Sequence, residues 1–238
     1  MDIQIGMFDV ENAFLRHADK SECLRRLKVF VGLLEGIEFA RTTEGFTLKN
    51  ITSFELVSNG DGLADSNIYD HIHLPSLREL IIRKVPVTNS VSRFVVWNGG
   101  HLRVLDVSLM KVDTDLGFFI GGCQNLKDIS FPFGNILPLM FTHDSIHTVR
   151  VDEVYQNAPM VGPDRASDRI CTVLLMFTLN ERRMFPKLRT VQFLDFHGME
   201  LYDLSIGLGS YVKLRAVLDK CKEMKIAVYD QNMCTING

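Results

Sequence analysis

The chain lacks a charge imbalance: 26 lysines and arginines against 29 aspartates and glutamates leave a formal charge of −3 and a pI near 6.2. A nucleic-acid-binding domain needs a basic face to displace counterions from phosphates, so DNA and RNA are not expected partners. No segment approaches the roughly 18 uninterrupted apolar residues that a membrane-crossing helix requires, and no membrane association is expected. The opening stretch, MDIQIGMFDVENAF, carries acids where a secretory signal has a basic stretch before an apolar run. The five cysteines, Cys23, Cys123, Cys171, Cys221 and Cys234, form no C-x-x-C pair. An odd, scattered set suits buried thiols in a reducing compartment better than a disulfide framework, so the expected address is cytoplasmic or nuclear.

Motifs that carry chemistry are also missing. WNGGH and IGGCQ contain paired glycines, but neither belongs to a G-x-x-x-x-G-K-[ST] or G-x-G-x-x-G loop, and both read as helix exits. No G-x-S-x-G elbow singles out a nucleophile. His71 and His73, beside Asp70, share one face of an extended segment, and His143 and His147 have i, i+4 spacing. Neither pair brings the third and fourth ligands that a metal site requires. The expectation is no catalytic residue, no metal and no cofactor.

What the chain does have is a comb. The pattern apolar-x-x-apolar-x-apolar occurs at Leu24, Leu27, Val29; at Ile51, Phe54, Leu56; at Leu77, Leu80, Ile82; and at Leu102, Leu105, Val107. It recurs at Leu126, Ile129, Phe131; at Ile146, Val149, Val151; and at Leu188, Val191, Phe193. Successive starts are 27, 26, 25, 24, 20 and 42 residues apart, so five of six intervals fall within the 20 to 29 residues of a leucine-rich repeat. One short strand per repeat cannot bury its apolar face alone and must stack on the matching face of its neighbours.

The connecting segments read as short helices. SVSRFVVWNGG precedes Leu102, and DTDLGFFIGGC precedes Leu126, with Asp113 or Thr114 as N-cap and Gly121 or Gly122 as a left-handed exit. Residues 152–186 form an insertion: QNAPMVGPDRAS as a loop, then a longer helix capped by Ser167, with the basic ERR at 181–183 near its C-terminal end. The chain closes with a terminal helix and strand over 209–230, in which Val212, Leu214, Val217, Leu218 and Cys221 recur at helical spacing before IAVYD. The expected architecture is one α/β domain spanning 1–238. It is an irregular leucine-rich-repeat solenoid of about seven repeats, with a curved parallel sheet on one face and short helices on the other.

The repeat openings LPSLREL, GGHLRVLDVS, GCQNLKDISF and FPKLRTVQFLDF resemble those of F-box-type leucine-rich-repeat proteins, in particular the set encoded by mushroom-forming fungi. The resemblance runs from about Leu24 to the terminal helix and strand. It implies a non-enzymatic module for protein–protein recognition, the substrate-binding part of a ubiquitin-ligase receptor. The first 50 residues lack the leucine–proline opening and three-helix pattern of an F-box, so docking to the ligase adaptor is not expected of this chain. The asparagine that follows each strand in regular repeats is found at Asn59, whereas Val85, Met110, Gly134, Val154 and Phe196 stand at the equivalent places. Apolar packing must therefore hold the repeats together.

If the comb residues point inward, the alternating positions face outward. These begin with Arg26, Lys28 and Ser53, and include Val104, Ser108, Thr148 and Thr190. The candidate partner-binding residues among them are Glu55, Glu79, Asp106 and Asp128 as an acidic row, with Arg83 and Arg150 as flanking clamps. Ile81, Ser130, Asp152 and Gln192 complete the surface. The competing expectation is that these charges are solvated and pair across strands. The loop at 152–166 is a further expected contact, and edge-strand pairing in a self-associating scaffold is the alternative role.

Overall fold

In a computed structural model the chain is described over residues 2–6, 20–31, 46–58, 72–84, 89–109, 120–133, 142–152, 163–178, 184–196 and 208–236. It divides into two compact units, Met1–Leu126 and Lys127–Gly238.

In the first unit, β1 (Asp2–Gly6), β2 (Arg26–Val31), β4 (Ser53–Ser58), β6 (Glu79–Arg83) and β7 (Val104–Leu109) lie side by side in that order, all parallel. Two-residue strands β3 (Phe46–Thr47) and β5 (Ile72–His73) form a separate parallel pair. Helix α1 (Asn89–Asn98) continues into a 3-10 turn at Gly99–His101. The second unit holds β8 (Asp128–Pro132), β9 (Thr148–Asp152), β10 (Thr190–Phe193) and β11 (Ala227–Tyr229), again parallel and in that order. Its helices are α2 (Pro163–Thr178) and α3 (Leu208–Glu223), which pack against each other.

Comb residues are the core of both units. Leu27, Phe54, Leu80 and Leu105 are all but sealed from solvent in the first unit, as are Ile129, Val149 and Val191 in the second. Strands β6, β7, β8 and β10 are entered through the same turn. The N–H of Leu77 donates to the carbonyl of Leu74 (3.1 Å), that of Leu102 to Gly99 (3.0 Å), that of Leu126 to Cys123 (2.9 Å) and that of Leu188 to Phe185 (3.0 Å). The residue three before the leading leucine is buried too, a fourth buried position that the six-residue pattern does not include.

Helix α1 buries Val91, Phe94, Val95 and Asn98, the i, i+3, i+4, i+7 stripe of an amphipathic helix, and Phe94 meets Phe54 with ring centroids 5.5 Å apart. Asn98 is only 4 % exposed, yet every amide bond it forms is to main chain. Its Oδ1 accepts from the Leu74 N–H (2.6 Å), and its Nδ2 donates to the Ile72 carbonyl (3.3 Å) and the Phe94 carbonyl (2.9 Å). The side-chain amide does beside β5 what a neighbouring strand's peptide group would do.

The paired glycines work by closeness. Gly121 and Gly122, expected as a left-handed exit, do not have positive φ. A Cβ on Gly122 would lie 3.4 Å from Val96 Cα, and one on Gly99 would lie 2.7 Å from Cys123 Sγ. The turn after α1 and the turn before Leu126 approach so tightly that a methyl group at Gly99 has no room. Gly99→Ala is expected to cost about 1–3 kcal/mol through overpacking, and adding Cys123→Ala should recover part of that loss. Urea unfolding of the single and double variants reads this directly; equal midpoints for Gly99→Ala with and without Cys123→Ala would refute the clash. Asp113 and Thr114, the expected caps of the preceding helix, lie outside the described residues, as does ERR at 181–183.

Ser167 is not a cap. Helix α2 begins at Pro163, whose fixed φ suits a first helical position, and this places Ser167 inside the helix with a buried hydroxyl that has no hydrogen-bond partner. Residues 163–166, expected as loop, are helical. In α3, Leu214, Val217, Leu218 and Cys221 are buried as their spacing predicts, but Val212 is exposed.

One irregularity re-aims side chains. Ile81 stands opposite Asp106 while Arg83 stands opposite Leu109, so β7 carries an extra residue against β6. The bulge buries Val107 and Ser108 in succession, and Asp106 Oδ1 holds it by accepting the Ser108 N–H (3.0 Å). Ser108, expected to face outward, is therefore buried.

Candidate functional site

The strand register sets which outward residues meet. In the first unit, Arg26, Ser53, Glu79 and Val104 stand in one cross-strand row, and Lys28, Glu55, Ile81 and Asp106 in the next. Glu55 and Glu79 are thus one step out of line with each other, because Glu55 lies opposite Ile81 and Glu79 opposite Ser53. Asp128 belongs to the second unit, where it stands opposite Thr148. Within the first unit the acids do not share a single row: Glu55 and Asp106 stand in one step of the pleat and Glu79 in the adjacent one.

Each acid has a local partner instead. Glu55 Oε1 receives both Lys28 Nζ (2.9 Å) and Arg83 Nε (3.0 Å), gathering residues from three strands around one carboxylate. Glu79 Oε2 accepts from the Ser53 hydroxyl at 2.6 Å. Asp106 is engaged by its own bulge. In the second unit Arg150 reaches Asp128 at 3.7 Å. These side chains are 20 to 38 % exposed, so each pair contributes only about 0.2–1 kcal/mol to stability. Their more important effect is positional. Arg83 and Arg150, expected as clamps for a partner's anion, already hold carboxylates of this chain.

Around this network lies an open cleft of about 350 Å³, lined by Arg26, Leu27, Lys28, Ser53, Glu55, Glu79 and Ile81. Small-molecule pockets are enclosed and mostly apolar, whereas this cleft is open and lined about equally by polar and apolar surface. It presents a half-exposed isoleucine flanked by charge of both signs, with Arg26 exposed at its β2 side. Arg26, Lys28 and Ser53 are readable as outward residues from the alternation; what the pattern does not supply is that Lys28 faces Glu55 across β2 and β4 and that Ser53 faces Glu79 across β4 and β6.

The remaining candidates divide. Ser130 and Gln192, expected on the open face of the second unit, are only 3 % and 8 % exposed, and the Gln192 amide donates to the Asp230 carbonyl (3.4 Å). Register places both opposite Arg150 on the neighbouring strand, and burial there is not something alternation reports. Asp152 is half-buried at the end of β9. Residues 153–162 of the expected loop contact, together with Asp70 and His71, lie outside the described residues, as do the ladder positions Asn59, Val85, Met110, Gly134 and Val154; Phe196 is buried.

Three of the cysteines are held protonated. Burial holds Cys123 up to about 12 and Cys221 up to about 11. Cys171 also rises to about 11, mainly through burial, with the nearby Asp168 adding to the shift and Lys213 opposing it. Thiols so protonated near neutral pH are poor nucleophiles. Cys23 and Cys234 are exposed, against the expectation of uniformly buried thiols. His143 is buried, with Nδ1 3.3 Å from the Ser145 hydroxyl, while His73 is exposed. Among the described residues no three His, Cys, Asp or Glu side chains gather as metal ligands would, and no helix is long and apolar enough to cross a membrane.

A scan against protein-family models finds no match to the chain, and neither does a search of curated proteins or of solved structures.

Proposed function

We propose that this protein is a non-enzymatic recognition module of leucine-rich-repeat type, a solenoid that binds a protein partner on the face formed by β2, β4 and β6. In the form implied by the F-box resemblance, it is the client-holding part of a ubiquitin-ligase receptor. The observation that carries the reading is the cleft around Ile81: Glu55 is ion-paired within the chain, Glu79 is held by the Ser53 hydroxyl, Arg26 is exposed at its rim, and its floor is a set of parallel strands. A surface with prearranged charges loses little side-chain entropy when another protein docks. The partner would place an apolar side chain against Ile81 and an acidic group near Arg26. Five cysteines without a disulfide suit the cytoplasm or nucleus.

Arg26→Glu and Ile81→Asp are expected to abolish capture of the partner from native-cell extract, quantified by mass spectrometry. Asp219→Lys, on the exposed side of α3, should leave capture intact. Equal capture by all three variants, with unfolding midpoints unchanged, would remove this face from the proposal. Cross-strand pairing of charges is itself favoured by the observed contacts, so Glu55 is a poor probe: reversing it breaks the Lys28 and Arg83 bonds and confounds binding with local structure.

A further inference from the structure

Strand β11 ends the strand order of the second unit, and such an edge ordinarily exposes main-chain groups to pairing by another chain. The Ala227 N–H donates toward β10, to the Arg189 carbonyl (2.8 Å), so by alternation Val228 and Asp230 turn their main-chain groups the other way. Those groups are taken by residues 234–236 of the same chain. The Ile236 N–H donates to the Val228 carbonyl (2.8 Å), the Asp230 N–H donates to the Cys234 carbonyl (3.0 Å), and Tyr229 and Thr235 form an antiparallel bridge.

One carboxylate organises this fold-back. Asp230 is 4 % exposed, and its Oδ1 accepts the N–H groups of both Asn232 (2.9 Å) and Cys234 (2.8 Å). Between them Met233 sits in the left-handed region at φ 61°, a strained conformation for a side chain of its kind. Ile236 is buried and anchors the far end, while the Gln231 N–H ties the near end to the Phe196 carbonyl (2.9 Å).

We propose that residues 230–236 are an edge cap latched by the Asp230 carboxylate, and that releasing the latch opens β11 to pair with β11 of a second copy of this chain. The occupant follows from direction: the tail already runs antiparallel on this edge, and two copies related by a two-fold axis present antiparallel β11 strands to each other in a closed, self-complementary pair. A cap of this kind keeps the edge from recruiting copies while the recognition face stays open.

The test uses the full chain with Cys23→Ser and Cys234→Ser as background, followed by sedimentation velocity and amide hydrogen exchange. Asp230→Ala should speed exchange of the Ile236 amide about tenfold or more, as expected for losing two bonds to a charged acceptor, and should convert monomer to dimer with rising concentration. Asp230→Asn, which keeps the accepting oxygen, should stay monomeric. Ile236→Ala, which removes the anchor and leaves Asp230 intact, should dimerise more weakly and serves if Asp230→Ala does not fold. Oxidised Tyr229→Cys/Thr235→Cys, joining the bridged pair, should return the Asp230→Ala variant to monomer. Unchanged Ile236 exchange in Asp230→Ala, monomer in both Asp230→Ala and Ile236→Ala, or dimer that persists after cross-linking would overturn the proposal.

Discussion

Asn98→Ala is expected to lower the unfolding free energy by about 2–5 kcal/mol, a severe loss for a residue that a sequence pattern would place in a polar helix end. The deletion leaves the Leu74 N–H and the Ile72 carbonyl without their partner in a region closed to water, and each stranded group costs about 1–3 kcal/mol. The substitution also removes the bond to the Phe94 carbonyl that ends α1. Asn98→Asp should be no better, since it retains an acceptor for Leu74 but loses both donors and buries a charge. Urea denaturation gives the magnitude, and hydrogen exchange at the Leu74 amide gives the location. A midpoint shift equivalent to less than about 1 kcal/mol would mean that water replaces the amide and that Asn98 does not stand in for a strand.

Ile81 and Ile82 supply the second test, because chemistry is held constant while only the side of the sheet changes. Ile82 is buried, whereas Ile81 is half-exposed in the cleft. Ile82→Ala should cost about 2–5 kcal/mol, combining lost transfer free energy with the cavity left behind. Ile81→Ala should cost less than about 1.5 kcal/mol, since its environment already includes solvent. Equal losses would place β6 in the wrong register and, with it, every outward residue assigned on that strand.

The strands that carried the comb were legible because burial of one face imposes a period of two, and a pattern of Leu, Ile, Val and Phe at that period survives without knowledge of neighbours. Leu77–Leu80–Ile82 is as readable in isolation as in the folded chain. Strand β1 is not legible as part of the comb, since DIQIG has the alternation but no leading apolar residue. Strands β3 and β5 are two residues each, too short for any period to show. Ser167 was misassigned because a serine before an apolar run resembles a cap, while Pro163 had already begun the helix.

The candidate surface was legible only as membership of a side. Arg26, Lys28, Ser53, Glu55, Glu79 and Ile81 were all placed outward by alternation, and they line one cleft. Which acid meets which base was not readable, because strands about 25 residues apart can slide by a step without altering either one's own pattern. Register decides that Glu55 joins Lys28 and Arg83, and that Glu79 joins Ser53. The same limit hides the burial of Ser130 and Gln192.

By itself the amino-acid order determined the repeating parallel strands, the helices at α1 and α3 and the inward faces, since each follows from apolar periodicity within a short window. Tertiary structure alone decided the β7 bulge, the Asn98 amide standing in for a peptide group, the glycine approach to Cys123 and the Asp230 fold-back onto β11. The Asn98 and Gly99 contacts exist only after segments more than 20 residues apart have met, and the Asp106 and Asp230 carboxylates bind backbone N–H groups, which any residue type supplies and no local side-chain pattern encodes.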